Sequence, residues 1–154
     1  MSDTVNLFYG FVFGTILSAA DKMGINPMLL GRQSSKILGS MVDSLAQQFL
    51  GMAPPKTMEE LLKDIEILGK NFGVFGKEFE WSYSGNNFNI KIVQCPWLEL
   101  CKYGKSVGYK ACPLCPTSII LMGAIEATNI AQVLGTNVDN NETVCQLTVK
   151  MEQK

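Results

Sequence analysis

The chain opens on an apolar run. From Thr4 to Ala20 no residue is charged, and Phe8, Phe11, Val12, Thr15, Ile16 and Ala19 recur at spacings of three and four. That spacing places them on one face of a helix, predicted from Val5 to about Met23. "GINP", Gly24–Pro27, is a turn. A second helix is predicted from about Met28 to Phe49, with Leu30, Ile37, Leu38, Met41, Val42, Leu45 and Phe49 as its apolar stripe. Proline cannot continue a helix, so "GMAPP" at Gly51–Pro55 stops it. Thr57 caps a third helix, with Glu60 placed as a capping box requires. Leu61, Leu62, Ile65, Leu68 and Phe72 carry that helix to about Gly73.

The period then falls to two. Phe79, Trp81 and Tyr83 alternate with Glu80 and Ser82, and Phe88, Ile90 and Ile92 alternate with Asn89 and Lys91. With "SGNN" between them, the two runs form a β-hairpin. "WLELCKYG" reads as a short helix closed by Gly104. After Pro116, Thr117 or Ser118 caps a long helix ending at Gly135, with Ile119, Met122, Ile125, Ile130, Val133 and Leu134 as its apolar residues. "TNVDNN" reads as a polar loop and Thr143–Met151 as the last strand. On that strand Cys145, Leu147, Val149 and Met151 share the inward face. The expected fold is α+β in one domain over 1–154. N-terminal helices pack on a small antiparallel sheet, made of the hairpin and the C-terminal strand, with a long helix before that strand.

Composition narrows the function. The chain has 154 residues, 47% hydrophobic and 18% charged, with a formal net charge of −1. That is a globular composition, and no basic block speaks for nucleic acid. Thr4–Ala20 falls short of the about 20 apolar residues a membrane span needs. The first helix is therefore expected to be buried or to pair two copies into a homodimer. Gly10 and Gly14, four apart, would let another backbone approach, within the monomer or across a dimer. Only Asp3 precedes the apolar run, where a secretory leader would carry positive charge, so a reducing cytoplasm is expected.

The chain has five cysteines and no histidine. Without histidine there is no Ser-His-Asp triad, no Cys-His dyad, no His-ligated haem and no mixed Cys/His zinc finger. Cys112 and Cys115 form a CxxC, and Cys95 and Cys101 precede it. Cys145 lies on a strand after the following helix, and consecutive elements pack together, so it can return to the CPLCP loop. The helix start after Cys115 favours thiolate, the form that binds metal. Zinc takes four tetrahedral ligands drawn from Cys, His or carboxylate. Cys112, Cys115 and Cys145 are first choices, and the fourth is Cys95, Cys101 or Glu142. An iron–sulfur cluster would use the same thiolates. Plain buried thiols are the ordinary alternative. A thioredoxin-like role is disfavoured, because CPLC sits in no βαβ unit.

The stretch Cys112–Val149, "CPLCPTSIILMGAIEATNIAQVLGTNVDNNETVCQLTV", resembles the C-terminal part of the 4-vinyl reductase domain. The shared pattern is a cysteine, a small-residue-rich helix, a polar loop and a strand carrying E-x-x-C, here Glu142 to Cys145. Archaeal predicted hydrocarbon-binding proteins and sensor domains of aromatic-responsive regulators belong to that family, and transport-particle subunits share its fold. The resemblance implies a small apolar ligand between helices and sheet, with zinc pinning the adjacent loop. It implies zinc ligands at Cys112 or Cys115, at Glu142 and at Cys145. The family's further cysteine on the last strand has no counterpart in "QLTVKMEQK". Trp97, Tyr103, Phe72 and Phe75, with Ala127 on the long helix, are the candidate ligand-lining residues, although aromatic positions are more often plain core. Arg32, Glu126 and Asn129 are expected to face solvent.

The leading expectation is a non-enzymatic module for an apolar, aromatic or tetrapyrrole-like ligand, with a Cys-rich structural zinc site. One alternative is an iron–sulfur or redox protein acting on a tetrapyrrole or corrinoid. Another is a non-enzymatic scaffold subunit.

Overall fold

The computed structural model of the chain describes residues 3–73, 75–76, 78–109, 115–141 and 143–154. Its elements are α1 (Asp3–Lys22), α2 (Pro27–Leu50), α3 (Met58–Phe72), β1 (Glu78–Ser84), β2 (Asn87–Val93), α4 (Leu98–Ser106), α5 (Pro116–Glu126), β3 (Ala131–Asn140) and β4 (Val144–Gln153). The fold is α+β, with one four-stranded antiparallel sheet in the order β1-β2-β4-β3. Among the described residues no helix is long and apolar enough to cross a membrane.

Local chemistry sets the helix ends. Asn26 accepts the Met28 amide at 2.9 Å, and Pro27 occupies the first turn, where a missing N–H costs nothing. Gly51 ends α2 in the left-handed conformation (φ 62°) that glycine adopts without strain. Thr57 accepts the Glu60 amide at 3.2 Å, but the Glu60 carboxylate reaches back to the Lys56 amide, one residue before the cap itself.

The sheet buries one face. Ile90 stands opposite Trp81 on one side and Leu147 on the other; Ile92 stands opposite Phe79 and Cys145. Phe88, Ile90, Ile92, Cys145, Leu147, Val149 and Met151 are buried against Leu61, Leu62 and Ile65 of α3 and Leu121, Met122 and Ile125 of α5. A second, smaller core joins Leu17 of α1, Leu100 and Cys101 of α4, and Cys115 and Ile119 at the start of α5.

Three sequence expectations change. The helix after the CxxC starts at Pro116 with Cys115 as its N-cap, so neither Thr117 nor Ser118 caps it; both are buried. It ends at Glu126 instead of Gly135, and 131–140, including most of "TNVDNN", form a strand. Ile130, Val133 and Leu134 fit a helical spacing. However, Ala131 and Val133 are buried while Gln132 and Leu134 are exposed, which is the period of a strand. Pairing with β4 then gives 131–140 backbone partners along one edge, interrupted at the Val133/Gly135 bulge, so the sheet has four strands. Finally, α4 runs two residues past Gly104, to Ser106.

Helix α5 is buried on nearly every side, from Thr117 to Ile125. A helix that is apolar all round lies between layers. Here α2 covers one side, and the contact is intimate at Gly123. A methyl group on Gly123 would lie 2.6 Å from the Ser35 carbonyl oxygen and 2.9 Å from the Gly39 amide nitrogen. The small residue at Gly123 therefore serves close helix packing.

Candidate functional site

Four described cysteines meet where the two cores join. Cys95 lies just beyond β2, Cys101 on α4, Cys115 at the N-cap of α5 and Cys145 on β4. None of the four is in a disulfide, and all are buried. Each is placed by a separate local device. Cys145 takes the inward position opposite Ile92. Cys101 follows the first turn of α4, its amide bonded to the Trp97 carbonyl at 3.1 Å. Cys115 stands at the N-cap of α5, and its carbonyl accepts the Ile119 amide at 3.0 Å. Cys95 follows Gln94, the one non-glycine residue with positive φ (53°) among the described residues.

The thiols stand in two pairs: Cys145 is hydrogen-bonded to Cys95, and Cys115 to Cys101. The Cys145 bond holds the Cys95 thiol below its ordinary pKa despite burial, and the Trp97 amide adds to the effect. The bond to Cys95, together with burial, pushes the Cys145 thiol up; Lys105 pulls weakly the other way. The bond to Cys101, together with burial, likewise raises Cys115. The pairs also feel each other. A charge on Cys101 opposes ionisation of Cys95 and Cys145, and a charge on Cys95 opposes that of Cys115.

Thiolates are the donor type that zinc and other thiophilic metals select. The donor chemistry fits, whereas the spacing is that of two pairs. Among the described residues no three Cys, Asp or Glu side chains are grouped closely enough to hold an ion. Cys112 and Glu142 lie outside the described residues. Of the sequence-derived candidates, the structure brings Cys95, Cys101, Cys115 and Cys145 into one neighbourhood.

The candidate ligand-lining residues do not share a place. Phe75 is core, 1% exposed, its ring against Gly69 and edge-on to Phe79 at 5.0 Å between centroids. Trp97 packs beside the larger core. Tyr103 lies on Gly14 of α1, where a methyl group would sit 3.1 Å from the ring. Gly14 thus serves packing within the monomer. The Phe72 side chain is outside the described ones. Ala127 follows the end of α5 and is exposed, on the rim of a cavity of about 30 Å³ lined by Ala46, Leu61, Ile65, Leu68 and Ala124. That space lies among α2, α3 and α5, away from the hairpin. It has room for roughly a water molecule or two, so the expected ligand-sized cavity between helices and sheet is not what Ala127 faces.

One polar node lies between helices. Arg32 and Glu126, expected in solvent, form a 2.7 Å ion pair joining α2 to the end of α5. Arg32 also donates to the Val133 carbonyl at 3.0 Å, beside the bulge at Val133/Gly135. The only available signal was that charge is scarce on both segments. Asn129 is exposed, as expected.

No protein-family model matches the chain, and the search of curated proteins finds no match either.

Proposed function

We propose that the chain is a binding module whose fold is pinned by a zinc ion held through thiolates where its two cores join. The observation carrying this reading is the convergence of four buried thiols from four separate segments. Cys95, Cys101, Cys115 and Cys145 would supply the donors once the two pairs draw together, with Cys112 and Glu142 as the further candidates. Closing the two pairs onto one ion would link β2, α4, α5 and β4. Binding would displace the thiol protons, so affinity should fall as pH falls. Native mass spectrometry of the full chain, purified under reductant, tests this. One zinc ion per chain is expected, lost or weakened in Cys115→Ser and Cys145→Ser. A visible chromophore with inorganic sulfide would favour the iron–sulfur alternative, and metal-free protein with an unchanged fold would end the reading.

A second reading is that the module takes a small apolar ligand. The apolar cavity beside Ala127 is the place that supports it, provided that the 51–55 segment swings out to enlarge it. Aromatic or alkyl probes should then raise the melting temperature through linkage, and Ala124→Leu should remove that response. No rise with any probe would exclude this site.

The module is further proposed to pair with a second copy through α1 and α2. Val12, Ile16, Ile37 and Met41 expose between 36% and 66% of their surface. Contiguous apolar surface marks association. No charge occurs between Thr4 and Ala20, so two copies of α1 can meet without burying one.

A further inference from the structure

The two thiol pairs differ in access and in backbone. Cys95 is the most exposed of the four described thiols, at 7%, while Cys101 and Cys115 are 0% and 1% exposed. β2 runs in register as far as Val93, opposite Val144, and the Gln94 amide still donates to the Thr143 carbonyl at 2.9 Å. There the chain turns. Gln94 takes the left-handed conformation, and Cys95 comes back against Cys145, whose partner on β2 is Ile92. A non-glycine residue holds that conformation only where its surroundings over-determine it, and such strain gathers at functional sites.

We propose that Cys95 and Cys145 form a peroxide-reactive dithiol, Cys95 attacking and Cys145 resolving, which closes a disulfide between the end of β2 and the start of β4. The Cys95 sulfur attacks a hydroperoxide. An S–O bond forms, the O–O bond breaks, and the departing alkoxide or hydroxide leaves as alcohol or water with the thiol proton. The Cys145 sulfur then attacks the sulfenic sulfur of Cys95. An S–S bond forms, the S–O bond breaks, and hydroxide leaves as water with the Cys145 proton. Two thiols and one hydroperoxide give one disulfide, one alcohol (or water) and one water, with two electrons passing to the peroxide. The small exposure of Cys95 suits a small oxidant such as hydrogen peroxide, and Cys101 and Cys115 are more fully buried. The proposal goes beyond the zinc reading and concerns the same sulfurs when no ion holds them.

The test treats the full chain, reduced and then freed of reductant, with hydrogen peroxide in the presence and absence of a chelator. Thiols are then alkylated under denaturing conditions and the peptides mapped. In the chelated protein Cys95–Cys145 should form first, with Cys101 and Cys115 still alkylated. In Cys145→Ser, Cys95 should stop as a sulfenic acid that dimedone traps, and in Cys95→Ser, Cys145 should stay reduced. Should either variant fail to fold, the order of thiol loss in the wild type decides. Formation of Cys101–Cys115 as early, or no Cys95–Cys145 bond in chelated protein, would overturn the proposal. Metal-free protein that still forms the bond would count against zinc alone, and zinc-loaded protein that never forms it after chelation would count against the dithiol alone.

Discussion

Replacing Gly123 with alanine tests how α5 is held. The added methyl would meet two backbone atoms of α2, the Ser35 carbonyl oxygen at 2.6 Å and the Gly39 amide nitrogen at 2.9 Å. Backbone in the middle of a 24-residue helix cannot swing aside as a side chain can. To bring 2.6 Å to the 3.4 Å of ordinary contact, the helices must part by about 0.8 Å. Overpacking of this kind costs about 1–3 kcal/mol, and backbone on both sides argues for the upper end. Alanine recovers about 1 kcal/mol of helix propensity. The net loss is then about 2 kcal/mol, or roughly 4–8 °C in melting temperature for a chain of this size. Gly39→Ala should behave alike, because its methyl would strike the Gly123 carbonyl. Once one methyl has parted the helices the second adds little, so the double variant should lose less than the sum. Thermal and urea unfolding followed by circular dichroism measure all three. A Gly123→Ala protein as stable as wild type would refute the close crossing and return the small residues of α5 to the role of pocket lining.

Three further outcomes are expected. Gln94→Gly should stabilise by about 0.5–1 kcal/mol, since it relieves about 1–2 kcal/mol of left-handed strain and loses part of that to unfolded-state entropy; urea unfolding that shows destabilisation would mean that the Gln94 side chain holds the turn. Burial first, then Glu60, raises the Asp64 carboxyl, with Lys63 opposing. Folding therefore binds extra proton there, and stability falls as pH rises from the ordinary carboxylate range through the raised folded value. Asp64→Asn should stabilise above that window and change little below it, as melting curves across pH would report. Ile37→Glu places a charge on the exposed α2 face and should yield a monomer in sedimentation where wild type is a dimer; a monomeric wild type at micromolar concentration would remove the pairing.

The elements that bury one clean face were legible in the sequence. Phe88, Ile90 and Ile92 against Asn89 and Lys91 could only be a half-buried strand, and the same parity turned Cys145 inward. Thr57 and Glu60 marked the start of α3 for the same local reason that holds it. The segment after Glu126 was misread because Ile130, Val133 and Leu134 satisfy a helical period as well as Ala131 and Val133 satisfy a strand. Pairing with β4, a long-range event, decides between them. The site was legible in its residues and not in its pairing. Spacing brought Cys112 with Cys115 to the fore. The association of Cys101 with Cys115, and of Cys95 with Cys145, depends on α4 folding under α1 and on the turn at Gln94. Nothing local to "VQCP" announces a left-handed glutamine. Arg32 and Glu126 were hidden for a similar reason, because their partnership spans two helices that meet only in the folded chain.

Cobalt(II) titration of the reduced full chain tests the proposed metal site most directly. Tetrahedral thiolate coordination gives intense visible bands and sulfur-to-cobalt charge transfer, which water or carboxylate ligation does not. These bands should saturate at about one equivalent, zinc should bleach them, and Cys145→Ser should weaken the charge transfer. A weak, octahedral spectrum that grows without saturation would contradict the proposed site.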